Sequence, residues 1–350
     1  MKEAYLYKKL KDPEGVAARP YGAGKKVQCL NCAHYCLILP GTRGICGVRE
    51  NIDGKLYSLV YGKAVAVHLD PIEKKPFFHF LPGTQSLSIA TVGCCLRCYA
   101  CQNWDISQAP KLTGEIFGEN ISPEEVVRTA KKYKAPSISY TYTDPIIFSE
   151  YALDTMQKAR KIGLKNTWVT SGFWSKELLD LVSPLLDAAN VDIKGFTNEF
   201  YIKYCGARLQ PVLDTSKGLK EKGIWVEVTT LVIPTLNDDE KTFQGIANFI
   251  KKELGAETPW HVTQFSGAIS WKLQHLPDTP VETLKKAHQI GKEAGLKYVY
   301  TGNVPGLPSE DTLCPKCGAL AINRTGYFIE RHDKNGQCPK CNYNLNLILK

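Results

Sequence analysis

Twelve of the thirteen cysteines of this 350-residue chain stand in three groups, and each group has the spacing of a ligand set. Such spacing constrains the local fold strongly, because the ligands must converge on one point. The C-terminal group is C-x2-C twice, Cys314 with Cys317 and Cys338 with Cys341, with twenty residues between the pairs. Four thiolates on two knuckle turns satisfy a tetrahedral zinc ion and leave no position open. The N-terminal group, Cys29, Cys32, Cys36 and Cys46, is also a complete set. Its uneven spacing suits structural zinc or an auxiliary iron–sulfur cluster. Zinc is the expectation, because a closed four-sulfur set would stabilise so small a module. A mixed set with His34 replacing one cysteine is the other arrangement.

The middle group is one ligand short. Cys94, Cys98 and Cys101 stand as C-x3-C-x2-C directly after a short apolar alternation that reads as a strand. Three thiolates on a compact loop can hold three irons of a 4Fe-4S cluster and leave the fourth iron open to a ligand. On spacing alone, the alternatives are a three-cysteine zinc site completed by a distant histidine, or buried free thiols. Cys205 stands alone and reads as a thiol flanking a helix.

No apolar stretch approaches the length of a membrane span, and the N-terminus has neither an apolar core nor a small-residue cleavage site. The expectation is a cytoplasmic protein with no membrane partner, in which cysteines serve metals rather than disulfides. The net charge of +9 is spread over short pairs such as Lys131-Lys132, Lys251-Lys252 and Lys285-Lys286. These read as solvated helix faces; an acidic protein partner fits equally well, and nucleic acid stays open.

From Ser86 onward, apolar runs alternate with amphipathic helical stretches, the mark of a parallel α/β sheet or barrel. Strands are expected near residues 87–92, 137–142, 166–170, 190–193, 225–232, 261–265 and 298–300. Helices open at Ser122-Pro123-Glu124, Ser175-Lys176-Glu177 and Asp238-Asp239-Glu240. Others run from Ser149 to Gly163 and from Pro211 to Gly223. Six or seven strands over about 220 residues fall short of a closed eight-stranded barrel, so an open, partial (β/α) barrel is expected. The division is residues 1–85 as a four-cysteine module and lead-in, 86–308 as the barrel, and 309–350 as a zinc ribbon.

The cysteine loop after the first strand resembles the signature of radical S-adenosylmethionine enzymes. The N-terminal module, the run from Asp70 to Gly83, the loop ending Gln102-Asn103-Trp104, the stretch Tyr300 to Gly306 and the terminal ribbon extend the likeness. Over nearly its full length the chain resembles the radical enzyme of the AmmeMemoRadiSam system, a relative of pyruvate formate-lyase activating enzymes. The resemblance implies a 4Fe-4S cluster on Cys94, Cys98 and Cys101, with S-adenosylmethionine on its open iron and reductive cleavage to a 5′-deoxyadenosyl radical. It implies cofactor contacts from Thr143 and Asp144, Ser171, Asp192 and Lys194, Ile233 and Asn237, and His261. Plainer roles compete: a turn at Asp144, a strand-end ion pair for Asp192 and Lys194, a helix cap for Asn237 or Asp238, and a core histidine for His261.

Three departures from the resemblance stand out. Ala100 occupies a position that is usually aromatic, Cys95 adjoins the first ligand where the family tends to have Asn, and Asp144 replaces Glu. Cys95 is expected to turn away from the cluster. The implied partners are a protein substrate and an electron donor such as ferredoxin or flavodoxin. Radical modification of a small molecule or RNA, and a non-enzymatic zinc-scaffold binding protein, are the competing functions.

Overall fold

A computed structural model describes residues 1–10, 25–304 and 306–350, so Pro305 in the Tyr300 to Gly306 stretch lies outside the described residues. The chain divides into two compact units. The first comprises residues 1–68, 87–97 and 103–187, and the second comprises 69–86, 98–102 and 188–350.

In the first unit, β1 (Gln85–Ala90, entering at Leu87), β2 (Ser137–Tyr140) and β3 (Lys165–Thr170) are neighbours in that order. β2 and β3 run parallel, with Ser137 opposite Lys165 and Tyr140 opposite Trp168. Every residue of β2 is buried, as befits a strand covered on both faces. Strand β2 ends at Tyr140, short of the expected residue 142, because Tyr142 takes a left-handed backbone with φ of 62°. The helices of this unit are α1 (Trp104–Leu112), α2 (Pro123–Lys132), α3 (Ser149–Lys161) and α4 (Lys176–Val182). Ser122 and Glu125 close a capping box before α2, and Ser175 caps α4.

The N-terminal cysteine segment docks on this frame through buried polar contacts. Arg49 and Glu150 form a two-pronged ion pair at 2.9 and 2.6 Å, with side chains 2% and 0% exposed. Asn31 Nδ2 donates to Ile146 O at 2.9 Å and to Ser149 Oγ at 2.7 Å, and the Ser175 hydroxyl donates to Leu30 O. These bonds fasten the cysteine turns to the loops that enter α3 and α4.

In the second unit, β4 (Ala188–Asp192), β5 (Trp225–Val232), β6 (Trp260–Gln264) and β7 (Val299–Gly302) are parallel and lie in chain order. Its main helices are α5 (Leu209–Glu221), α6 (Glu240–Phe249) and α7 (Val281–Glu293). The cap of α6 is Asp239, whose carboxylate accepts from Thr242 N, and not Asn237 or Asp238. A three-stranded antiparallel sheet of Thr312–Leu313, Leu320–Thr325 and Phe328–Arg331 carries the C-terminal ribbon. No helix among the described residues is long and apolar enough to cross a membrane.

One buried carboxylate organises this second unit. Glu227 on β5 accepts from the backbone amides of Phe78, His79 and Phe80 at 2.9, 2.9 and 3.2 Å, and lies 2.7 Å from His261 Nε2. Burial works against its ionisation, yet the His261 hydrogen bond and charge, the His79 charge and the Phe78 amide hold its pKa down at about 2. Burial likewise lowers His79 to about 4, against the opposing pull of Glu227.

Two predictions follow from these buried charges. Arg49→Met strands the Glu150 carboxylate and should cost roughly 3–5 kcal/mol in chemical unfolding, whereas Arg49→Met with Glu150→Met should recover most of that loss. A double variant no more stable than the single one would contradict this. The second concerns acid. Both Glu227 and His79 have folded-state pKa values below their ordinary ones, so their stabilisation is complete above the ordinary values and drains away as pH falls. The windows are 6.5 to 4 for His79 and 4.5 to 2 for Glu227. The His79 contribution should fall by on the order of 2 kcal/mol between neutrality and pH 5. His79→Gln should flatten the slope of unfolding free energy against pH, and an unchanged slope would remove His79 as its source.

Candidate functional site

The loop from Thr91 to Asn103 begins in the first unit and continues, at Cys98, in the second. Its opening is shaped by Gly93, at φ of 98°, where an added Cβ would lie 2.5 Å from Val48 Cγ1 and 3.2 Å from Cys46 O. Gly93 N donates to Ile106 O at 3.0 Å, and Gln108 Nε2 donates to Leu96 O at 3.3 Å. His34 Nε2 lies 3.0 Å from Cys95 O, so the histidine of the N-terminal module serves this loop. Leu96 N donates to Cys94 Sγ at 3.4 Å. The first ligand is thus held by α1 on one side and by the N-terminal module on the other.

Cys95 was expected to turn away from the cluster. Its side chain is 1% exposed. Cys95 is the main reason the Cys94 thiol titrates below its usual value, while burial pushes the Cys95 thiol well above it. Cys94 is therefore suited to bind metal as a thiolate and Cys95 to remain a thiol.

In the second unit, Cys101 N donates to Cys98 O at 3.2 Å, the turn expected of two ligands three residues apart. Tyr99 N donates to Tyr204 O at 2.9 Å, and Tyr99 O accepts from Lys272 N at 2.9 Å and Ser270 Oγ at 3.1 Å. The Tyr99 ring meets Tyr204 edge-on at 5.8 Å, with Lys272 Nζ 5.0 Å from its centroid. The aromatic beside Ala100 is thus taken up by packing within its own unit. Lys194 pairs with Asp192 at 2.6 Å. Burial opposes the Lys194 charge, but Asp192, with the Cys98 and Cys205 thiols, holds its pKa well above the usual lysine value. A cation beside Cys98 favours the thiolate form of that cysteine.

The residues at the other strand ends are committed in specific ways. Asp144 accepts from Thr170 Oγ1 at 2.9 Å, Ser171 N at 2.9 Å, Ser171 Oγ at 2.5 Å and Ile146 N at 3.2 Å. Burial raises its pKa although all four bonds favour the charged form. Its carboxylate therefore joins the end of β2 to the end of β3 and is not a free acidic group. Thr143 Oγ1 donates to Thr91 O at 2.8 Å, and Asn103 Nδ2 donates to Tyr142 O at 2.9 Å. Together these fix the turn after β2 to both ends of the first-unit part of the loop.

In the second unit, Asn237 Oδ1 accepts from Ile233 N at 2.6 Å, and Asn237 Nδ2 donates to Lys194 O and Leu231 O at 2.7 and 2.8 Å. Asn237 is a staple that shapes the Ile233 turn beside Lys194. His261 is 2% exposed, with its Nε2 engaged by Glu227 and its ring stacked 5.4 Å from Tyr300, which is the core role. Asn103 and Glu227 were not singled out from the sequence. An acidic residue in the middle of the apolar run Trp225–Val232 was the available signal for Glu227.

The three cysteine sets differ in what they can hold. The ligand atoms of Cys314, Cys317, Cys338 and Cys341 lie within 4.8 Å of one another, with Cys314–Cys341 and Cys317–Cys338 sulfur pairs at 3.6 Å. That is the donor set and spacing of one tetrahedral ion. Cys29, Cys32, Cys36 and Cys46 line a shared cavity with His34 and Arg49. Cys94, Cys98 and Cys101 are soft sulfur donors of the kind that iron–sulfur clusters take.

The model of the Radical SAM superfamily matches residues 88–246, the segment that holds the three-cysteine loop and the strands through β5. An uncharacterised protein of Methanocaldococcus jannaschii is 45% identical over 352 residues, covering 100% of both chains. The pyruvate formate-lyase-activating enzyme of Clostridium pasteurianum is 21% identical over 215 residues, covering 57% of this chain and 87% of that enzyme. The (2S)-3-sulfopropanediol dehydratase activating enzyme of Klebsiella oxytoca is 27% identical over 165 residues, covering 47% of this chain and 52% of that one. With its mostly parallel α/β sheet, its three-cysteine loop and a full-length relative, the chain belongs to the radical SAM superfamily, whose members use a 4Fe-4S cluster and S-adenosylmethionine.

Proposed function

We propose that the chain is an activating-enzyme-like radical enzyme of the AmmeMemoRadiSam type, which abstracts hydrogen from a residue of a partner protein, a glycine by analogy with its relatives. The observation that carries this reading is the incomplete three-cysteine set of Cys94, Cys98 and Cys101, beside two sets with four cysteines each. When bound, the cluster supplies one electron that cleaves S-adenosylmethionine and yields a 5′-deoxyadenosyl radical. The protein's own contribution is positioning. The three thiolates would hold iron, Lys194 with Asp192 sets the charge beside Cys98, and Asp144 with Thr143 fixes the strand ends from which Ser171 would contact the cofactor. Asn237 shapes the Ile233 turn, which would contact the adenosine.

The protein-substrate half of the reading is supported by the named relatives, which are activating enzymes of a lyase and of a dehydratase. A net charge of +9 suits an acidic electron donor such as a ferredoxin or flavodoxin. In this scheme residues 309–350 form a zinc ribbon, residues 86–308 the catalytic barrel, and residues 1–85 a metal-bearing lead-in.

The test is anaerobic reconstitution with iron and sulfide, followed by dithionite and S-adenosylmethionine. The expected product is 5′-deoxyadenosine. Cys94→Ser should abolish it, while cleavage should survive Cys95→Ser. Zinc as the sole bound metal, with no 5′-deoxyadenosine formed, would sink the radical reading, and the reverse pattern of the two serine variants would overturn the ligand assignment.

A further inference from the structure

The stretch between Cys98 and Cys101 comes to the surface of the second unit, where both cysteines and Tyr99 are only half-buried. Two other segments close on it. Tyr99 N donates to Tyr204 O at 2.9 Å, and Tyr99 O accepts from Lys272 N at 2.9 Å and Ser270 Oγ at 3.1 Å. These bonds bring the turn Tyr201–Cys205 and the loop after β6 onto one short piece of the radical loop.

The side chains there form an unbroken series of rings and ammonium groups. Lys203 Nζ lies 5.1 Å from the Tyr204 centroid, and the Tyr204 ring meets Tyr99 at 5.8 Å. Lys272 Nζ lies 5.0 Å from the Tyr99 centroid and 4.2 Å from that of Trp271. Both lysines are exposed, and among the described residues neither pairs with a carboxylate. Other lysines of this unit do. Lys217, Lys285 and Lys286 face Glu253, Glu282 and Glu240 at 3.0, 2.7 and 2.7 Å. An ammonium resting on an aromatic ring keeps its charge uncompensated, whereas one against a carboxylate does not. Ile202 and Ile269, the sequence neighbours of Lys203 and Ser270, are 54% and 55% exposed. Rings, exposed apolar side chains and unpaired cations around one short segment suit contact with an acidic protein.

We infer that this surface docks an acidic protein carrying one low-potential electron, of the flavodoxin or ferredoxin class, and that the electron enters the radical site here. The second half rests on the radical function proposed above; the docking does not. Position selects a carrier over the substrate protein. The rings stand on the chain between two of the three loop cysteines, so a redox group seated on them comes close to whatever metal those sulfurs bind. Hydrogen abstraction instead needs the substrate at the cofactor, not at the backbone that carries the sulfurs. The balance is one electron: the carrier is oxidised by one as the iron–sulfur site is reduced by one. No bond or proton changes at Tyr99 or either lysine. Electron-transfer complexes are small and transient, so a compact patch suffices.

The first experiment measures binding apart from catalysis. Oxidised flavodoxin and oxidised ferredoxin are each titrated into full-length, anaerobically reconstituted protein. At least one should form a saturable complex, weakened as salt rises from about 0.05 to about 0.3 M. Lys203→Glu with Lys272→Glu should raise its dissociation constant about tenfold or more, and Lys203→Gln with Lys272→Gln should raise it less. Lys285→Glu with Lys286→Glu changes the net charge equally and should shift it less than about threefold. No complex with either carrier, or equal loss from both charge reversals, would remove the docking surface.

The second experiment follows the electron. The ratio of carrier-driven to dithionite-driven 5′-deoxyadenosine formation should fall about tenfold in the Lys203→Glu/Lys272→Glu protein. An unchanged ratio would overturn electron entry at this surface. If a carrier binds in the lysine-dependent way and neither reductant yields 5′-deoxyadenosine, the surface stands and the radical function falls. If dithionite supports cleavage and no carrier binds, the radical function stands and the surface falls.

Discussion

The radical loop can take its path only because residue 93 has no side chain. A Cβ there would overlap Val48 and crowd Cys46 O, and the backbone sits at φ of 98°, which side chains disfavour. Residue 93 immediately precedes Cys94, the first cysteine of the loop. The close approach therefore makes the N-terminal cysteine module the floor on which the loop is laid, and the orientation of Cys94 is set partly by residues more than forty positions earlier. The contact of His34 with Cys95 O belongs to that same surface.

Within each unit, buried charge is used as fastening. Burying an ion costs several kcal/mol unless partners surround it. Glu150 is matched by Arg49, Asp144 by four donors from two strand ends, and Glu227 by three consecutive amides with His261. In each case a single carboxylate satisfies backbone or cationic donors from segments far apart in sequence. Hydrophobic contact alone would fill the same space without fixing the angle of the groups around it.

The repeating elements were legible in the sequence because apolar runs and capping residues are local signals. Strands expected near 166–170 and 225–232 occur as Lys165–Thr170 and Trp225–Val232, and Ser122 and Ser175 cap the helices they precede. The C-terminal cysteine set was legible for the same reason, since ligand spacing is a property of short segments. Partner choice was not local. Nothing near Asp144 in sequence says that its oxygens are taken by Thr170 and Ser171. Asn237 looked like a helix cap, but the carbonyl of Lys194 claims its amide and Asp239 caps instead.

The segment from Pro76 to Gly83, which precedes the first parallel strand, is completed by residues near the other end of the chain. Arg324 donates to Phe78 O at 2.9 Å over a sequence separation of 246 and lies 4.2 Å from the Phe78 ring, while Ile348 N donates to His79 O at 2.8 Å. Such a lead-in cannot settle while the chain is still emerging from the ribosome, because its last partners are made last. Folding of the C-terminal segment then becomes the step on which the locking of an early-synthesised segment depends.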